Sequence, residues 1–177
     1  MLRYLISGRI DRALARRGES PYVPALACAL AFLCTATMSV PVTAVIVPAV
    51  LIARRRAKAI VLCASLGSAL GATLLVALFQ HWGWDEVYSA FPEMRESRSW
   101  LRVTGWVARW GVTALFVVAA LPLPQTPALI FLAVTQHPET QVLLAILGGK
   151  LIKYAAVAAA VLAFPERFGP PPGAGGT

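Results

Sequence analysis

Charge is scarce in this chain of 177 residues, and acidic charge is the scarcest: eight Asp and Glu stand against sixteen Lys and Arg. None of the eight falls within the four long apolar stretches, Ser20 to Ala53, Ala59 to Trp84, Trp110 to Pro138 and Gln141 to Phe164. An intramembrane hydrolase would need an embedded Asp, Glu or His as base beside its nucleophile, and no such arrangement is present. His81 and His137 stand alone, each without companion ligands, so no metal site is expected. The three cysteines, Cys28, Cys34 and Cys63, lie in apolar stretches at spacings that fit neither a zinc site nor a disulfide framework, and read as packing residues. No cofactor is expected, and the chain does not read as an enzyme.

What is present is apolar. Hydrophobic residues make up 58% of the chain, far above soluble domains, which points to an integral membrane protein. The net charge of +8 does not signal nucleic acid, because nine of the sixteen basic residues flank one apolar stretch. Arg3, Arg9, Arg12, Arg16 and Arg17 precede it, and Arg54, Arg55, Arg56 and Lys58 follow it. Anionic lipid headgroups are the expected partner, and self-association into a homo-oligomer stays open. As one helix, Ser20 to Ala53 would measure roughly 50 Å, well beyond a hydrocarbon core of about 30 Å. Basic flanks at both ends place both in the cytoplasm, so the segment must enter and return, bending near Ser39 to Pro41. The expected location is a bacterial inner membrane, multi-pass, with cytoplasmic N- and C-termini.

Residues 1–19 form a basic amphipathic segment, with Leu2, Leu5, Ile6, Ile10, Ala13 and Leu14 roughly on one side and Arg9 and Arg17 intruding. A cleaved signal does not fit, because the apolar run continues through Pro41 and Pro48. A single membrane domain is expected over 20–164, with a first repeat at 20–84, an outer loop at 85–102 and a second repeat at 103–164. The tail 165–177, rich in Pro and Gly, is expected to be disordered. Ala59 to Trp84 suits one outward span, in which Gly67 and Gly71 allow close helix approach. All five tryptophans, from Trp82 to Trp110, read as an interfacial belt.

The second repeat opens with an apolar run broken by Leu-Pro-Leu-Pro-Gln-Thr-Pro at 121–127 and closes with a span from Gln141 to Phe164. Pro41 lies as far before Gly67 as Pro122 lies before Gly148. The expected fold is therefore an all-α polytopic bundle, with two oppositely oriented re-entrant or broken hairpins forming an inverted repeat. In transporters that symmetry brings broken helices together at the substrate site.

Two of only three lysines, Lys150 and Lys153, sit mid-way along the last apolar stretch and share one helical face. A charge at the bilayer centre costs about 2.5–3.5 kcal/mol on insertion scales, so water or a bound anion is required in the absence of carboxylates. Tyr154 adds a hydroxyl, while Gly148 and Gly149 permit close approach by backbone or headgroup. The bland alternative has the lysines snorkelling to headgroups, but eleven apolar residues follow Lys153. Near the breaks, Thr37, Ser39 and Thr43, and Gln125 and Thr126, serve first to satisfy backbone groups freed by proline. Together with Pro41, Pro122 and Pro124 they would line any cavity between the hairpins. Arg109 joins the candidate binding residues, although its tryptophan neighbours favour an interfacial anchor.

Over Thr37 to Ala163 the order of these motifs resembles the DedA superfamily, also called VTT or SNARE-associated domain proteins, particularly its short YqaA-like members. The resemblance rests on Ser39-Val40-Pro41, on Gly67-Ser68-Ala69-Leu70-Gly71-Ala72, on Trp110-Gly111 followed by Leu121-Pro122-Leu123-Pro124, and on Gly149-Lys150-Leu151-Ile152-Lys153-Tyr154. It implies two re-entrant hairpins packed with transmembrane helices, and flipping or scrambling of an anionic lipid or polyprenyl phosphate between leaflets. Better-known members carry a glutamate after the first proline, an aspartate in the glycine motif and an arginine near the second break. Val42 or Thr43, Ala72, and Ala120 or Leu121 stand there in this chain, so the resemblance implies no proton or sodium coupling through those positions. A non-transporting membrane scaffold is the competing expectation.

Overall fold

The computed structural model describes residues 22–90, 92 and 97–164. The amphipathic segment and the Pro/Gly tail expected at the two ends lie outside the described residues, as do Glu93, Arg95 and Glu96. Among the described residues there are eight α-helices and no strand. They are α1 (Tyr22–Ala36), α2 (Thr43–Ile52), α3 (Ala57–Phe79), α4 (Trp84–Ala90), α5 (Arg98–Trp110), α6 (Val112–Ala120), α7 (Thr126–Val134) and α8 (Glu139–Ala163). A 3₁₀ turn, Arg54–Arg56, joins α2 to α3. With that turn included, Arg54–Phe79 is long and apolar enough to cross a membrane, and so is α8.

The two long helices organise the rest. One apolar core holds Leu75, Val76 and Phe79 of α3, Val142 and Ile146 of α8, and the buried residues of α4 to α7. The other holds the buried residues of α1 and α2, Ile60 and Ala64 of α3, and Tyr154, Ala158 and Val161 of α8. The late part of α3 thus shares a core with the early part of α8, and the reverse holds in the second core, so the two helices run antiparallel. Lys150 and Ser68 lie on the seam between the cores.

Close approach is set by glycine. A Cβ on Gly67 would run into the Cys28 carbonyl oxygen of α1, and one on Gly71 would come within 2.7 Å of the Phe32 carbonyl oxygen. In the second half, a Cβ on Gly149 would lie 2.6 Å from the Phe116 carbonyl oxygen of α6, whereas one on Gly148 meets only the Phe116 ring. Three of the four expected packing glycines therefore sit against backbone, which cannot yield cheaply. The order of parts repeats as helix, break, short helix, long helix, but the packing is out of register, since Gly148 and Gly67 meet partners at different offsets from their prolines.

The outer loop expected over 85–102 is in part helical, in α4 and in the first residues of α5. Its charged residues masked a helical period: Trp100, Val103 and Val107 are buried on one face of α5, while Arg98, Arg102 and Arg109 stay exposed. Ser97 caps the helix, its Oγ accepting from the Trp100 amide at 3.4 Å. Trp100 is therefore a core residue and Trp84 packs partly buried against the same core, so of the five tryptophans expected in a belt only Trp82, Trp106 and Trp110 are exposed. At Gly111 a φ of 56° turns the chain from α5 into α6, a conformation that favours glycine.

Gly67→Ala is expected to destabilise the detergent-solubilised protein by about 1–3 kcal/mol through forced backbone displacement. Gly105→Ala, in an open position of α5, should be neutral or stabilising by up to about 1 kcal/mol. Thermal unfolding of the two variants checks both.

Candidate functional site

Both breaks open onto the same cavity. Residues 37–42 separate α1 from α2 and residues 121–125 separate α6 from α7, and proline, which cannot donate to a helical ladder, stands in each break, as Pro41 in the first and as Pro122 and Pro124 in the second. Between them lies a cavity of about 440 Å³. Pro41 and Thr43 line it from the first break, and Pro122, Pro124, Gln125 and Thr126 from the second. Across from them α8 presents Lys150, Lys153 and Tyr154. Arg109 does not belong to this lining. It is exposed on α5, with its guanidinium 5.7 Å from the Trp110 ring centroid, because the face of α5 that turns inward carries Val103 and Val107.

The helix ends at the breaks are largely satisfied. At the end of α1, the Thr37 hydroxyl and amide both donate to the Leu33 carbonyl, at 2.7 and 2.9 Å, and the Met38 amide donates to Thr35 at 3.2 Å. Met38 adopts a φ of 52°, the left-handed residue that often closes a helix. At the end of α6, the Leu121 carbonyl accepts from Lys153 Nζ at 3.0 Å. A cation at a helix C-terminus also meets the negative pole of its dipole. The breaks touch directly, Thr126 Oγ1 donating to Met38 Sδ at 3.7 Å.

The two lysines differ in their surroundings. Lys153 is half-buried and bonded to the second break. Lys150 is only 6% exposed, and its ammonium lies 5.5 Å from the Tyr154 ring centroid, within range of a cation–π contact. Among the described residues no hydrogen bond or ion pair reaches that ammonium, and no acidic side chain lines the cavity. Meanwhile α2 and α7 both begin at the cavity, with Thr43 and Thr126 in its wall, so two positive helix ends face the same space. The carbonyl ends of α1 and α6 already carry donors. With two lysines, two helix starts and no carboxylate in its wall, the cavity is a candidate for an anion.

A chain of hydroxyls holds one wall. Tyr154 donates to Ser68 Oγ at 3.3 Å, and Ser68 lies 2.8 Å from Thr35 Oγ1, tying α8, α3 and α1 together. Sequence reasoning missed this role for Thr35 and Ser68 and missed Met38 and Cys34 as lining residues. The only available signal was the placement of hydroxyls in otherwise apolar helices. The cysteines are unpaired and half-buried.

A scan against protein-family models and searches of curated proteins and solved structures found no match.

Lys150→Met keeps the volume of the side chain and removes a partly desolvated charge that has no hydrogen bond or ion pair among the described residues, so it should raise thermal stability by about 1–3 kcal/mol. Lys153→Met removes the donor to the exposed Leu121 carbonyl and should lower stability by about 0.5–1.5 kcal/mol. Opposite signs in unfolding measurements on the two variants would bear this out.

Proposed function

We propose that the chain is a multi-pass membrane protein of DedA type that binds an anionic lipid headgroup, such as a lipid or polyprenyl phosphate, and carries it between leaflets. The membrane part of this reading is supported by the outer surface. Leu62, Leu66, Leu70, Leu74 and Leu78 are all exposed at every fourth position of α3, and Leu26, Leu30 and Leu33 extend the apolar face across α1. Such a patch exceeds what a soluble monomer tolerates and suits lipid contact. In this reading α1–α2 and α6–α7 are re-entrant hairpins entering from opposite faces of a bacterial inner membrane, with both termini cytoplasmic. Neither pair supplies a helix long enough to cross.

One observation carries the ligand: the ammonium of Lys150, a residue only 6% exposed, opens into a cavity shared with two helix N-termini and no carboxylate. A phosphate would accept charge-assisted hydrogen bonds from it and offset its desolvation. The lack of embedded acids leaves the movement without an evident coupling group, so the proposed transport is an uncoupled exchange down a gradient. The bond from Lys153 to Leu121 favours a second reading, in which the lysines only hold a broken helix within a membrane scaffold.

In liposomes containing a fluorescent lipid phosphate, the purified protein should accelerate exchange between leaflets relative to empty vesicles. Lys150→Ala should slow it by roughly ten- to hundredfold, the weight of a charge-assisted hydrogen bond. Exchange no faster than in empty vesicles, with the protein folded and inserted, would favour the scaffold.

A further inference from the structure

A second opening borders the cavity. It is an apolar groove of about 410 Å³ between α2 and α8, lined by Thr43, Ala44, Val47, Val157 and Ala160. Thr43 lies in the walls of both. At about 100° per residue, Lys150, Lys153, Val157 and Ala160 fall within about 80° of arc, so one face of α8 passes from two cations to two apolar residues. From Lys153 to Ala160 that face runs roughly 10 Å along the axis. On the facing helix, α2 makes the same change, from Thr43 at its start to Val47 one turn later.

The geometry points to this groove as the seat of the hydrocarbon chain of a single amphiphile whose anionic head occupies the Lys150 cavity. This rests on the headgroup reading above and extends it to the route of the chain. A headgroup held against a nearly buried ammonium needs an exit for its chain that does not cross polar lining, and the groove supplies apolar walls starting at the cavity's edge. The small side chains of Ala44 and Ala160 leave room between the two helices. Burial against lipid tails contributes little driving force, so the groove steers the chain while the lysines supply the affinity. The ligand class is thus a lipid with an anionic head and at least one linear chain, in preference to a free inorganic anion.

Photoaffinity labelling tests this on the unaltered protein in phosphatidylcholine vesicles. One probe is a long-chain alkyl phosphate carrying a diazirine in its chain, and the control is the alcohol of the same chain. Peptide mass spectrometry should place the phosphate probe on residues 44–47 and 157–160, with the alcohol confined to the exposed leucine face of α3. Excess glycerol phosphate should abolish the groove labelling and should protect Cys34, which lines the cavity, from alkylation. Ala160→Trp should reduce groove labelling and lipid exchange about tenfold while leaving Cys34 protection intact, and Val47→Trp should do the same from the opposite wall. Phosphate-probe labels spread evenly over the outer face, with Cys34 still protected, would overturn the groove and leave the headgroup site standing. Failure of glycerol phosphate to protect Cys34, with no groove labelling, would overturn both.

Discussion

Where a helix breaks, the backbone groups it frees lose their helical partners and must find others in the protein or in solvent. This chain breaks two helices side by side, at residues 37–42 and 121–125, and the surrounding side chains are arranged around that demand. Thr37 turns its hydroxyl back onto Leu33, Met38 takes a left-handed conformation that lets its amide reach Thr35, and Lys153 crosses from α8 to Leu121. The carbonyl ends are thereby closed with local donors. The amide ends of α2 and α7, which start on the far side of each break, keep their positive poles toward the cavity.

The breaks meet because the long helices can come close. Gly67 and Gly71 bring α1 onto α3 at backbone distance, and Gly149 does the same for α6 on α8. With α3 and α8 antiparallel, each apolar core borrows half of a long helix from the other repeat, and the polar groups collect on the seam. The chain of hydroxyls through Tyr154, Ser68 and Thr35 crosses that seam and ties both long helices to α1. Replacing either glycine contact with a larger side chain would move a helix, and with it one wall of the cavity.

Much of this was legible because the informative residues are rare. Two lysines in an otherwise apolar stretch, and prolines inside apolar runs, mark both the cavity and its breaks, and of the residues expected to line it all but Thr37 and Arg109 do so. The faces of the apolar helices were not legible, since α2 and α7 are apolar all round and carry no polar side to orient them. Arg109 misled because charge was weighed without its face, whereas the period of Trp100, Val103 and Val107 turns that arginine outward. The same period, overlooked among the charges of 85–102, hid the start of α5. Hydroxyls such as Thr35 and Ser68 resemble ordinary packing residues until the partner helix is known.

The two lysines divide the electrostatic labour. Lys153 is matched to a carbonyl end and would be retained in a purely structural protein. Among the described residues, Lys150 has an aromatic ring within reach and no hydrogen bond or ion pair, in a cavity whose wall includes the starts of α2 and α7. The carbonyl end of α1 borders the same cavity, with Cys34 and Thr35 in its wall, but the lysine bonded to a carbonyl end is Lys153. No side chain lining the cavity supplies a counter-charge, so under the proposed function an anionic headgroup would both occupy the site and offset the desolvation of Lys150. An acidic side chain in the wall would supply that counter-charge, and would also occupy the charge that a phosphate needs. The scarcity of acid noted first in the composition is therefore a condition for the proposed chemistry as well as for the apolar surroundings.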